Sequence, residues 1–143
     1  MSIEQNKTIA GRIFAALNER DMDGVIAHYN PDCRFHGWGP DTQQTLDVAG
    51  NKATMSALLD AFPDSRFPID DIIAEGDRVA VPHSFRGTHQ ADFQGIPATG
   101  KSVAVNAIVI FQMENDKVAE TWLSADFVGL MQQLGGVPGP GTN

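Results

Sequence analysis

The run Ser102-Val-Ala-Val-Asn-Ala-Ile-Val-Ile-Phe-Gln-Met113, then Glu114-Asn115-Asp116, then Lys117-Val-Ala-Glu-Thr-Trp-Leu-Ser-Ala125, decides the fold class. Its first part is apolar on both faces, as in a strand in the middle of a sheet. The polar triplet is a turn and the second part alternates, so the two predict a β-hairpin. Working outward, Arg66 to Ala74 and Arg78 to Thr88 flank Glu75-Gly76-Asp77, a second predicted hairpin. A short strand is expected around Cys33 to Trp38. Four stretches carry helical spacing. Ser2 to Arg20 opens with a capping-box pattern at Ser2 and Gln5 and aligns Ala10, Ile13, Phe14 and Leu17. Met22, Val25, Ile26 and Tyr29 follow a cap at Asp21 and stop at Asn30-Pro31. Met55, Leu58, Leu59 and Phe62 lie between Asn51 and Pro63. Phe127, Leu130, Met131 and Leu134 follow Asp126 and end at Gly135-Gly136. The order α-α-β-α-β-β-β-β-α, with short links between strands, predicts an α+β fold with a mainly antiparallel sheet. No GxGxxG or Walker pattern points to a nucleotide.

A chain of 143 residues suits one domain, here residues 1–135, with a Gly- and Pro-rich tail at 136–143. Ten basic against eighteen acidic residues give a net charge of −8, which argues against nucleic acid and anionic membranes as partners. The single cysteine, Cys33, excludes a disulfide scaffold. No signal-peptide core or membrane-length apolar run is present, so a cytoplasmic protein is expected. The four histidines show no HxH or HxxxH spacing, and no metal or other cofactor is expected.

The segment Arg86-Gly-Thr-His-Gln-Ala-Asp-Phe-Gln-Gly-Ile-Pro-Ala-Thr-Gly-Lys101 resembles a loop of the SnoaL-like polyketide cyclases and ester cyclases, which reads roughly R-G-T-H-x-x-x-F-x-G-I-P-x-T-G-K. Asp116-Lys-Val-Ala-Glu-Thr-Trp122 and Asp126-Phe-Val-Gly-Leu-Met-Gln-Gln-Leu-Gly135 resemble that family's last strand and closing helix, and Pro31-Asp32 leading to His36 resembles its early strand. The resemblance implies the nuclear transport factor 2-like fold, a cone-shaped roll whose curved sheet wraps the N-terminal helices. It also implies a homodimer and an apolar ring-bearing ligand, held without metal or nucleotide. In the founding cyclases an Asp on the last strand drives an intramolecular aldol ring closure. The matching segment there often reads E-H-W-D, whereas here it is Glu120-Thr121-Trp122-Leu123. Thr121 and Leu123 therefore stand where that match has His and Asp. By the same match, Ala107, Val109 and Phe35 occupy polar cavity positions of those cyclases.

With that carboxylate absent, the histidines become the candidate acid/base groups. Alternation of Val79, Val81, His83 and Phe85 puts His83 on an apolar strand face. It is either a neutral base suited to taking a proton next to a carbonyl, or a core histidine held by one hydrogen bond. His36 and Trp38, two apart, are expected to share a face, either as a wall for a flat ligand or as surface groups. Asn106, a buried amide in the central strand, would fix a polar group of the ligand or bond to a neighbour. His89 is expected to fix its loop, His28 to be solvated, Glu120 to point away from the cavity and Asp126 to cap a helix. Asp92 and the pair Asp70-Asp71 are expected to be solvated. Trp122, on the outward face of the last strand, is a candidate dimer contact. Three functions fit. One is a cyclase or isomerase using His83 or His36, with Phe35, Trp38, Phe85, Asn106, Ala107, Val109, Thr121 and Leu123 around the substrate. Another is a family member that binds an apolar molecule without transforming it. The third is hydrolysis or hydration of an epoxide, which needs a carboxylate to activate water.

Overall fold

The computed structural model describes residues 2–38 and 43–135; the tail expected at 136–143 lies outside them. Ser2 caps helix α1 (Ile3–Asn18), its hydroxyl accepting from the Gln5 amide at 3.0 Å. The other half of the capping box does not form. The Gln5 carboxamide reaches across the fold, its Nε2 donating to Asp116 Oδ1 at 2.9 Å in a charge-assisted bond. That bond ties the helix start to the turn of the last hairpin. Helix α2 (Met22–Ile26) is capped by Asp21 and ends before Tyr29, which opens strand β1 (Tyr29–His36) instead of closing the helix. The two-residue strand β2 (Thr45–Leu46) precedes helix α3 (Val48–Ala61), which starts at the Asp47 cap.

Strands β3 (Ile73–Glu75), β4 (Arg78–Thr88), β5 (Ser102–Glu114) and β6 (Lys117–Ala125) follow, then helix α4 (Phe127–Leu134). Asp126 caps α4 and Gly135, at φ 79°, closes it. One curved, open sheet runs β2-β1-β6-β5-β4-β3, antiparallel except where β1 meets β6. The expected strand from Arg66 to Ala74 is regular only over its last residues. Ser84 N–H donates to Pro68 O and Asp70 N–H to Pro82 O, yet neither proline can return the bond. The ladder there falls to single bridges at Arg66–Arg86 and Ile69–His83.

The inner sheet face carries Val79, Val81, His83 and Phe85 on β4 and the odd-numbered residues from Val103 to Met113 on β5. Against it pack Ile9, Ala10, Ile13, Phe14 and Leu17 of α1. The even-numbered residues of β5 face outward. The double apolar character of this strand therefore does not mean burial on both sides, since Ile108 is 47 % exposed. Asn106 lies on the same outer face and is exposed, so the buried amide expected there is corrected.

Candidate functional site

Between the helices and the inner sheet face lies a cavity of about 650 Å³. Of the residues expected around a ligand, Trp38, His83, Phe85, Ala107, Val109 and Leu123 line it. Four others do not. Asn106 faces outward. Phe35 is fully buried behind the wall, its ring edge-on to Trp38 at 5.7 Å and to Tyr29 at 5.0 Å. Thr121 is also fully buried and works through Trp38, whose Nε1 donates to its Oγ1 at 2.9 Å.

His36 is the fourth. Its Nε2 lies 2.5 Å from Glu120 Oε2, and its ring stacks on Trp122 at 5.6 Å. Glu120 and Trp122 alternate with the inward Thr121 and Leu123, so this cluster belongs to the outer face. His36 and Trp38 do not share a face because Gly37, at φ 82°, breaks the alternation between them. A side chain on Gly37 would also strike the Leu123 carbonyl oxygen, 2.2 Å from the position of its Cβ. The chain therefore turns at Gly37 against the β6 backbone and delivers Trp38 to the cavity.

His83 is buried, with the Phe14 ring edge-on at 4.8 Å. Its Nδ1 donates to the Val81 carbonyl at 2.9 Å, which leaves the Nε2 lone pair for a ligand. Burial pulls its pKa below the ordinary histidine value, while the Val81 carbonyl and the charge of Asp70 oppose that fall. Tyr29 also lines the cavity, but burial raises its phenol well above the usual range. No Asp, Glu, Lys or Arg is among the described lining residues. His83 is thus the one described lining group whose ordinary titration range lies near neutrality.

This has a consequence for stability. Below the ordinary histidine pKa the unfolded chain binds a proton that buried His83 refuses, so stability rises with pH through that range and levels off above it. Half-buried His28, whose pKa is lowered by burial and then by Arg12 and Lys117, acts in the same direction. Urea midpoints measured between pH 5 and 7.5 are expected to climb. In His83→Gln the climb should be shallower; an equal climb would mean that His83 titrates as in the unfolded chain.

Among the lining residues that the sequence does not single out, one is a fully buried amide. Asn51, in the first turn of α3, is 1 % exposed and its Nδ2 has no hydrogen-bond acceptor among the described residues. The sequence did hold a signal, because position 51 falls on the apolar stripe of Met55, Leu58 and Phe62. Outside the cavity, His89 fixes its loop: Nδ1 accepts from Thr99 N–H at 3.2 Å and the ring stacks on Phe62 at 5.4 Å. Burial, with Glu120 nearby, pushes the Cys33 thiol up to about 12, so it is no nucleophile at neutral pH. Asp70, Asp71 and Asp92 are exposed.

An α+β roll with an apolar cavity under its helices defines the SnoaL-like class. The model of the SnoaL-like polyketide cyclase family matches residues 7–134, and the chain belongs to that family. Among solved structures it is similar to AclR from Streptomyces galilaeus, described as a candidate hydroxylase. The two are 30% identical with a TM-score of 0.87, covering 96% of this chain and 100% of that one. It is also similar to IdmH from Streptomyces antibioticus, described as a candidate polyketide cyclase, with 26% identity, a TM-score of 0.80 and coverage of 92% and 99%. TsrD from Streptomyces laurentii has 26% identity, a TM-score of 0.82 and coverage of 96% and 99%. No curated protein matches the chain.

Proposed function

We propose that this protein is a cofactor-free cyclase or isomerase that moves a proton at a carbon next to a carbonyl in an apolar, polyketide-like or cyclic substrate. The observation that carries this is His83, a neutral imidazole with Nε2 free, in a cavity otherwise lined by groups that do not titrate near neutrality. The apolar walls Phe85, Val109, Leu123 and Trp38 would take up the rings. Nε2 would remove the proton, leaving an enolate. In a ring closure the enolate carbon attacks a second carbonyl carbon, and the resulting alkoxide takes the proton back from Nε2–H. The product is an isomer of the substrate, with no atom gained or lost. A dry cavity favours this by fixing the two carbons and excluding competing water.

Binding without turnover is the second reading, favoured by Leu123 where the family resemblance has its Asp, and by Ala107 and Val109 beside it. Epoxide hydration has the least support, because no carboxylate among the described lining residues could activate water. A substrate-independent test separates the first two. 2-Tetralone, a two-ring ketone with an acidic C–H, is incubated with the protein in deuterated buffer and its deuterium uptake followed by NMR. Uptake above the buffer rate supports proton transfer; saturable binding with no added uptake supports the binder.

The homodimer implied by the family belongs to the same proposal. Ile108, Ile110 and Trp122 lie together on the outer sheet face, Ile110 directly opposite Trp122 across the ladder. A second copy would cover them. Ile108→Lys is expected to convert a dimer to a monomer by light scattering on a sizing column, and an unchanged mass would exclude this face. The same reading places the protein in the cytoplasm, where a lone buried thiol stays reduced.

A further inference from the structure

Of the polar side chains lining the cavity that the proposed proton transfer leaves unused, Asn51, Gln44, Thr54, Gln94 and Ser124, one stands out. Asn51 is 1 % exposed, lines the cavity and has an Nδ2 without an acceptor among the described residues. An amide N–H in that position is costly, since its hydration is gone and no described residue replaces it. Folded proteins pair almost all such groups, so an unpaired one beside a ligand cavity points to a partner that arrives with the ligand. The rest of the cavity face of α3 is mostly apolar, with Met55 and Leu58, and Thr54 alone adds a hydroxyl one turn on. A neutral N–H donor among apolar walls suits a neutral acceptor, and on a ring-bearing compound the fitting acceptor is a carbonyl oxygen.

We propose that Asn51 is the polar anchor of the cavity, donating from Nδ2 to a ligand carbonyl, so that the site selects ring ketones over hydrocarbons of the same shape. The inference rests on the reading of the cavity as a pocket for apolar rings and adds to it the functional group that the rings must carry. It also gives the anchor a part in the reaction. As the neighbouring carbon loses its proton to His83, negative charge collects on the carbonyl oxygen and the bond from Asn51 tightens. Asn6 is an internal control. It is equally buried and both its amide atoms lack partners among the described residues, but it is not among the lining residues.

The test uses 2-tetralone and tetralin, which share a ring skeleton and differ in the carbonyl. Dissociation constants for both are measured by calorimetry on the native protein, Asn51→Leu, Asn51→Ala and Asn6→Leu. The ketone-to-hydrocarbon affinity ratio is expected to fall roughly tenfold in both Asn51 variants and to hold in Asn6→Leu. Using a leucine and an alanine separates the lost donor from altered bulk and keeps the test alive should one variant not fold. In the native protein, the side-chain amide protons of Asn51 should shift downfield on adding 2-tetralone and not tetralin. A ratio unchanged in both Asn51 variants overturns the assignment while leaving the apolar pocket standing. Failure of both compounds to bind the native protein overturns the pocket reading and the anchor with it.

Discussion

His83→Gln is expected to lower deuterium uptake into 2-tetralone by about 10²–10⁴-fold, the usual worth of a positioned general base. Glutamine fills similar space and carries no titratable nitrogen, so tetralin should bind within about twofold of the native value. The pH profile makes the test sharper. Only neutral imidazole accepts a proton, so the native rate should rise with pH and level off. Its midpoint should lie below the ordinary histidine value, because burial disfavours the charged ring. A midpoint at or above that value would mean that another group does the work. Undiminished exchange in His83→Gln would remove His83 from the mechanism, and the carbonyl-directed chemistry would need a base outside the described lining.

Gly37→Ala should be the most damaging single-methyl change in the wall of the site. At φ 82° a side chain is strained by about 1–2 kcal/mol, and the new Cβ would lie 2.2 Å from the backbone oxygen of Leu123. A backbone atom inside a paired strand cannot move aside as a side-chain tip can. The expected loss is therefore about 3 kcal/mol or more in denaturant unfolding. Gly76→Ala is the comparison, because Gly76 also has a positive φ of 57° but nothing lies within 4 Å of its added Cβ. That change should cost only about 1 kcal/mol. Equal losses at the two glycines would show that the contact with β6 adds nothing. Since Trp38 follows Gly37 directly, the same variant should also weaken tetralin binding where it still folds.

The fold was legible because its signals are local and agree with one another. Ser2, Asp21 and Asp126 cap the helices they precede, and the polar triplets at 75–77 and 114–116 turn the two hairpins. The inward set on β4 and β5 follows from alternation alone. What failed depended on backbone geometry or on distant partners. Strict alternation put His36 beside Trp38, and one left-handed glycine undid it. Asn106 looked buried because its neighbours are apolar, yet whether an outer sheet face is covered is not written in the strand itself. Phe35 and Thr121 point inward as expected but sit one layer behind Trp38, a depth that periodicity does not encode. Asn51 escaped notice because its place on an apolar stripe gains meaning only once its Nδ2 is seen to lack an acceptor among the described residues.

The two prolines that break the ladder beside β4 have a consequence for how this protein meets its neighbours. An outermost strand with free amides is a template on which another chain can grow a sheet. Here one border is the three-residue β3 followed back by a stretch with single bridges, and the opposite border is the two-residue β2. The β3 border offers no long run of evenly spaced donors to seed added strands. At the β3 border, strand-by-strand accretion, the route into fibres, therefore finds little to build on.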